Sequence, residues 1–173
     1  MTRILTPIVA VAALSALLAG CNLRPLYAGG TSGTVAGELG RVEIEPIAGK
    51  AGWLVRNALK DQLAAFDGQE VKYRLTVALE DKIAGFGVRS DDRITRERRT
   101  LRARYQLVRL SDSVVVLDAT AGSDAGIDVV SSEYATLAAE DTALENLATR
   151  VSNQIVTRLS LFARTEASAS PGP

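Results

Sequence analysis

Arg89, Arg93, Arg96, Arg98, Arg99, Arg102 and Arg104 crowd into residues 89–104, offset only by Asp91, Asp92 and Glu97. Guanidinium groups suit phosphates, because each presents a planar fork of donors that stays charged. Other chemistry has few carriers. The chain contains no histidine, which removes the usual general base, the commonest metal ligand and every serine–histidine or cysteine–histidine arrangement. Its single cysteine allows neither an internal disulfide nor a thiolate cluster. Asp91-Asp92 read as turn residues. Glu140-Asp141 are helix neighbours that do not face each other. Ser131-Ser132 suit a helix cap, and Gly85-Phe86-Gly87 follows a strand but lacks the helix a phosphate loop needs. The expectation is a protein that is not an enzyme, with no catalytic residue, no metal and no cofactor. Twenty basic and twenty acidic side chains balance to a net charge of zero, so bulk electrostatics argue against nucleic acid as a partner.

The cysteine has a distinctive setting. Met1 to Gly20 is built as a secretory signal: Arg3 is its only charge, and Ile4 to Ala19 is apolar apart from Thr6, Pro7 and Ser15. A permanent membrane span asks for about 20 apolar residues, and this run is shorter. Leu18-Ala19-Gly20-Cys21 resembles the lipobox of bacterial lipoproteins. That resemblance implies cleavage after Gly20, a diacylglycerol on the Cys21 thiol and a mature chain anchored in a membrane, with acyl chains contributing about 0.8 kcal/mol per buried CH₂. An ordinary signal peptide with an incidental cysteine, or a buried cysteine, is the plainer alternative. Asn22 in the next position leans towards the outer membrane without deciding it.

These groups need elements to hold them. Residues 1–20 are the expected signal peptide. Residues 21–40 form the lipidated N-terminus and a tether rich in glycine, although those glycines could instead serve tight turns. Residues 41–165 form one α/β domain, and 166–173 a disordered tail. Within the domain, Arg41 to Ile47 alternates, with Val42 and Ile44 on one side and Glu43 and Glu45 on the other, as a strand closed by Pro46. Val55, Leu59, Leu63 and Phe66 make one helical stripe, stopped at Asp67-Gly68. Glu70 to Glu80 alternates as a strand with Val71, Tyr73, Leu75, Val77 and Leu79 on its apolar side, and the strand at 98–108 carries Leu101, Ala103, Tyr105 and Leu107 likewise. Val114 to about Ala121 is a fourth strand of ambiguous orientation. A final helix runs from a cap at Ser131 or Ser132 to about Phe162, with Leu137 at the head of its stripe. Trp53 is expected between helix and sheet. The order β-α-β-β-β-α predicts an α+β two-layer sandwich, with a four-stranded mixed sheet and two helices packed on one face.

A hairpin of strands 70–80 and 98–108 centred near residue 89 places Arg74 opposite Arg104 and Glu80 opposite Arg98. Lys72, Arg74, Arg102 and Arg104 then gather on the open face of the sheet. Like charges opposite one another destabilise a sheet unless an anion or an acidic surface lies between them. Either these residues bind lipid phosphates or a partner, or they form a solvated face that protects the strands.

With these elements placed, the chain resembles the LPS-assembly lipoprotein family (LptE-type), particularly its alphaproteobacterial branch. The resemblance rests on Cys21-Asn-Leu-Arg-Pro-Leu-Tyr27, Arg56-Asn-Ala-Leu-Lys-Asp-Gln-Leu63, Tyr73-Arg-Leu-Thr-Val77, Ile94-Thr-Arg96, Ala103-Arg-Tyr-Gln-Leu107 and Ser132-Glu-Tyr-Ala135. Asn22 and Leu23 depart from the usual Gly and Phe. The resemblance implies an outer-membrane lipoprotein, facing the periplasm, that plugs and helps assemble the LPS translocon barrel (LptD-type). It would contact lipopolysaccharide on its way to the cell surface. Lys72, Arg74, Arg102 and Arg104 become candidate contacts for LPS or the barrel. An auxiliary lipoprotein of a periplasmic lipid-transport ABC system is the alternative.

Overall fold

The computed structural model describes residues 34–66, 68–88 and 94–169. The elements in chain order are α1 (Thr34–Leu39), β1 (Val42–Ile44), α2 (Gly49–Leu63) with a 3₁₀ turn at Ala64–Phe66, β2 (Tyr73–Val88), β3 (Ile94–Arg109), β4 (Val115–Asp128) and α3 (Glu133–Ala169). They form an α+β fold with a mixed four-stranded sheet in the order β1-β2-β3-β4. β1 runs parallel to β2, and the remaining pairs are antiparallel.

The alternation of β2 and β3 decides which side is covered. Tyr73, Leu75, Leu101, Ala103, Tyr105 and Leu107 are buried to within 2% beneath the helices. Val55, Leu59 and Leu63 of α2 and Leu144, Leu147, Val151, Ile155 and Leu159 of α3 meet them. β4 offers Ala119, Ala121 and Ala125 on the same side, so α3 rests close on that strand. The Ser152 hydroxyl, fully buried, donates to the Val55 carbonyl at 3.2 Å and joins the two helices. Ser132 caps α3, its Oγ accepting from the Ala135 N–H at 3.4 Å.

The structure differs from the sequence expectations at several points. The 21–40 stretch is not all tether: residues 34–39 form α1, whose Ala36 and Leu39 are buried. Gly40 then turns the chain into β1 so close to the Phe66 carbonyl that a Cβ would collide with it. The final helix continues to Ala169, into the 166–173 stretch expected as tail. Val71 stands before β2 and is exposed, and Leu137 is exposed ahead of the covered part of α3. Trp53 is 63% exposed, because two residues before Val55 is about 200° around the helix from the buried stripe. β4 runs on to Asp128 and is antiparallel to β3, which settles its orientation.

The hairpin register also moves. β2 and β3 continue to Val88 and Ile94, so Arg74 lies opposite Val108 rather than Arg104, and Glu80 lies opposite Arg102 rather than Arg98. The displacement is an even number of residues, which leaves every side chain on its expected face.

Candidate functional site

The uncovered face of the sheet carries the arginines in a row. Arg96, Arg98, Arg102 and Arg104 are alternate residues of β3, apart from Thr100 between them, and alternate residues of a strand share a face. The new register removes the like-charge confrontation expected at Arg74 and Arg104. It replaces it with opposite charges: Glu80 faces Arg102 across the β2–β3 pair. On the other side stand acids of β4 that sequence reasoning missed. Asp118, Asp124 and Asp128 face the same way as the arginines, and the signal for them was present in the even spacing of these aspartates along one strand.

Each candidate cation has an acidic neighbour. Arg104 reaches Asp118 through Nη2 at 2.9 Å and through Nε at 3.3 Å, and Gln106 donates to the same carboxylate at 2.9 Å. Those hydrogen bonds, from Arg104 first and Gln106 second, hold the Asp118 carboxyl below its ordinary range. Arg74 sits 3.5 Å from Glu45 and 4.0 Å from Glu43 of the neighbouring strand region. Arg102 is the most loosely held, 3.8 Å from Asp124. Its side chain lies flat across Gly122, where a Cβ would meet its guanidinium and Cδ. Lys72 stands apart from this group: it precedes β2, and its Nζ reaches Glu38 of α1 at 3.4 Å. The structure therefore brings Arg74, Arg102 and Arg104 to one face and leaves Lys72 at its end. Cys21 lies outside the described residues.

The cations of this face, Arg74, Lys82, Arg96, Arg98, Arg102 and Arg104, are matched by Glu43, Glu45, Glu80, Asp118, Asp124 and Asp128. The surface is a ladder of alternating charge rather than a basic patch. A shallow depression of about 630 Å³ lies over it, bordered by Glu80, Arg102, Arg104, Thr120 and Gln154. Among the described residues Arg98 pairs with an aromatic ring rather than an acid, its guanidinium lying 5.3 Å from the Phe86 ring centre near the hairpin tip. Chemically, such a face can exchange its internal carboxylates for phosphate oxygens or for the acids of a partner. Among the described residues no group of acids, cysteines or histidines is arranged to hold a metal ion, and no helix is long and apolar enough to cross a membrane.

Comparisons with known proteins agree with this architecture. The model of a family described as LptE, lipopolysaccharide-assembly, matches residues 39–159. No protein of curated function matches the sequence. Among solved structures, a chain described as a lipoprotein from Caulobacter crescentus CB15 superposes with a TM-score of 0.62 at 21% identity, over 76% of this chain and 98% of that one. A minor lipoprotein from Acinetobacter baumannii gives 0.59 at 14% identity, over 71% and 92%. Lipoprotein B from Nitrosomonas europaea gives 0.58 at 13%, over 74% and 86%. At these identities the likeness is one of fold.

Proposed function

As the chain belongs to the LptE family of lipopolysaccharide assembly, we propose that it is a non-enzymatic lipoprotein, anchored through Cys21 on the periplasmic side of the outer membrane. There it plugs and supports the assembly of the LPS translocon barrel, of LptD type, and contacts lipopolysaccharide during delivery to the cell surface. The family match across the folded domain carries this reading. The Cys21 lipobox and the open face with Arg74, Arg102 and Arg104 support it. Arg102 is the natural first contact for a lipid phosphate, since its nearest carboxylate is 3.8 Å away and a phosphate oxygen can approach within charge-assisted hydrogen-bond range of about 2.8 Å.

Two measurements test the reading. Affinity purification from detergent-solubilised envelopes is expected to recover a large barrel protein at equal stoichiometry. Recovery of inner-membrane transporter subunits instead would replace it with the auxiliary role in a lipid-transport ABC system. Charge reversal at Arg74, Arg102 and Arg104 is expected to weaken binding to LPS or to the barrel with the circular dichroism spectrum preserved. Binding equal to wild type would remove the open face from the mechanism while leaving the plug role to the first measurement.

A further inference from the structure

Among the described residues β4 borders the sheet, with β3 on one side and no strand on the other. Its pairing with β3 is in continuous register from Leu117 to Asp128, the one irregularity lying between Leu107 and Val108 on β3. In an antiparallel pair, alternate residues turn both N–H and C=O away from the neighbour. Gly122 identifies which ones do so here. Its N–H donates to Gln154 Oε1 at 3.0 Å, and its carbonyl accepts from Gln154 Nε2 at 3.2 Å. One side-chain amide from α3 thus makes both bonds that an adjacent strand would make at this rung. Asp118, Thr120, Asp124, Gly126 and Asp128 share the parity of Gly122, so their backbone groups point outward too. Among the described residues no other side chain caps a rung of this edge.

An edge of this length is a pairing hazard that folded proteins have to blunt. Here the blunting is selective. A second copy laid antiparallel along β4 would set aspartate near aspartate, which repels. A basic strand meets the opposite situation. Asp124 and Asp128 are 55% and 74% exposed, and each engages an arginine of β3 through Oδ1, leaving a second oxygen for another cation. On the helix side of the same edge a groove of about 680 Å³ opens among Tyr105, Ala119, Gln154, Thr157, Arg158 and Leu161. Its Tyr105, Ala119 and Leu161 walls suit an apolar side chain pointing inward from an added strand.

We propose that the β4 edge, from Asp118 to Asp128, receives an extended segment of a partner protein in which basic and apolar residues alternate. The basic side chains lie over Asp124 and Asp128, an apolar one enters the groove beside Ala119, and the segment takes over the two Gly122 bonds from Gln154. Gln154 is a placeholder for the missing strand. This mode of recognition draws affinity from main-chain hydrogen bonds and specificity from alternate side chains. It does not depend on the identity of the barrel partner.

The test uses the purified full chain and a ten-residue peptide of alternating lysine and valine, with a glutamate–valine peptide as its counterpart. The lysine peptide is expected to slow amide exchange at Asp118, Thr120, Asp124, Gly126 and Asp128 by about tenfold or more, and the glutamate peptide to leave it unchanged. Thr120→Pro removes an outward N–H without touching the ladder to β3, so it should abolish protection while the inward amides of β3 and β4 keep theirs. Gln154→Ala should tighten binding several-fold by removing the competitor, and Asp124→Lys with Asp128→Lys should weaken it. Equal protection by the glutamate peptide, binding retained in Thr120→Pro, or no gain in Gln154→Ala overturns the proposal. Self-association of the free chain that Thr120→Pro abolishes would assign the edge to a second copy and overturn it equally.

Discussion

Arg99 grips Asp81 at two points, Nε to Oδ1 at 2.9 Å and Nη2 to Oδ2 at 2.6 Å, and donates a third bond from Nη1 to the Glu140 carbonyl at 2.8 Å. This arginine differs from Arg96, Arg98, Arg102 and Arg104: it points to the helix side of β3, and only 11% of its side chain is exposed. It ties the β2–β3 hairpin to α3 beyond the reach of the apolar core. Removing one member of a largely buried pair leaves the other without its partner in a poorly solvated place. Arg99→Met is expected to cost about 2–4 kcal/mol, measured by urea unfolding. A double-mutant cycle with Asp81→Asn should return a coupling above about 1 kcal/mol, and a value near zero would strip the contact of its clamping role.

Glu97 stands two residues earlier on the same face, close to Glu140, with its Oε2 buried and, among the described residues, without a partner at hydrogen-bond geometry. Burial first, and the charge of Glu140 second, push its carboxyl above the ordinary 4.5. Below that value the group is protonated in the folded and unfolded chains alike. As pH rises, the unfolded chain ionises first, so the stability held by the protonated Glu97 is lost as pH rises through its raised folded value. Glu97→Gln should therefore match wild type near pH 4 and exceed it at pH 7, by less than about 1 kcal/mol given the solvent nearby. Thermal melting at the two pH values checks the sign; a stabilisation confined to acid would reverse the assignment.

The ion-pair ladder of the open face should matter little for folding. Arg74 and Arg104 have side chains 45% and 68% exposed, where solvent screens the attraction of an ion pair. Arg74→Ala and Arg104→Ala are expected to leave the urea midpoint essentially unchanged. Loss of binding in charge-reversed variants could then be read as loss of contact rather than of structure.

Two glycines should respond oppositely to the same substitution. A Cβ at Gly40 meets the Phe66 backbone carbonyl, which cannot move without shifting the 3₁₀ turn. Gly40→Ala is expected to destabilise by about 1–3 kcal/mol. A Cβ at Gly122 meets the flexible end of Arg102, which can swing aside. Gly122→Ala should leave the unfolding midpoint almost unchanged and free the guanidinium, visible as altered Arg102 side-chain signals in NMR. A large loss of stability would mean that Arg102 is locked in place.

The sequence made the faces of the sheet legible and its edges illegible. Alternation at Tyr73, Leu75 and Val77 and at Leu101, Ala103, Tyr105 and Leu107 assigned both strands to the correct side, because parity survives a displaced turn. The register itself depended on where the chain reverses between β2 and β3, and composition cannot say that. β4 beyond Leu117 was obscured by its alanines, glycines and aspartates, a poor strand signal on local propensity, which pairing with β3 and packing beneath α3 override. For the same reason the acids that neutralise the arginines went unread. Arg99 was hidden among six other arginines of residues 89–104, and on the strand its facing with Leu101 separates it from Arg96, Arg98, Arg102 and Arg104. Exposure of Trp53 was available from helical spacing alone.

α1 packs near the far end of α3, where Leu39 lines one small cavity with Leu159, Phe162 and Ala163, whereas the hairpin tip lies beside the opening turns of the same helix, through Arg99 and Glu140. The 37 residues of α3 extend about 55 Å at 1.5 Å per residue. The polypeptide thus enters the domain at one pole and displays Phe86, Arg98 and the Ile83 side chain towards the other. The two poles of the domain stand a single helix apart, so whatever engages the α1 end leaves the hairpin tip roughly 50 Å away from it.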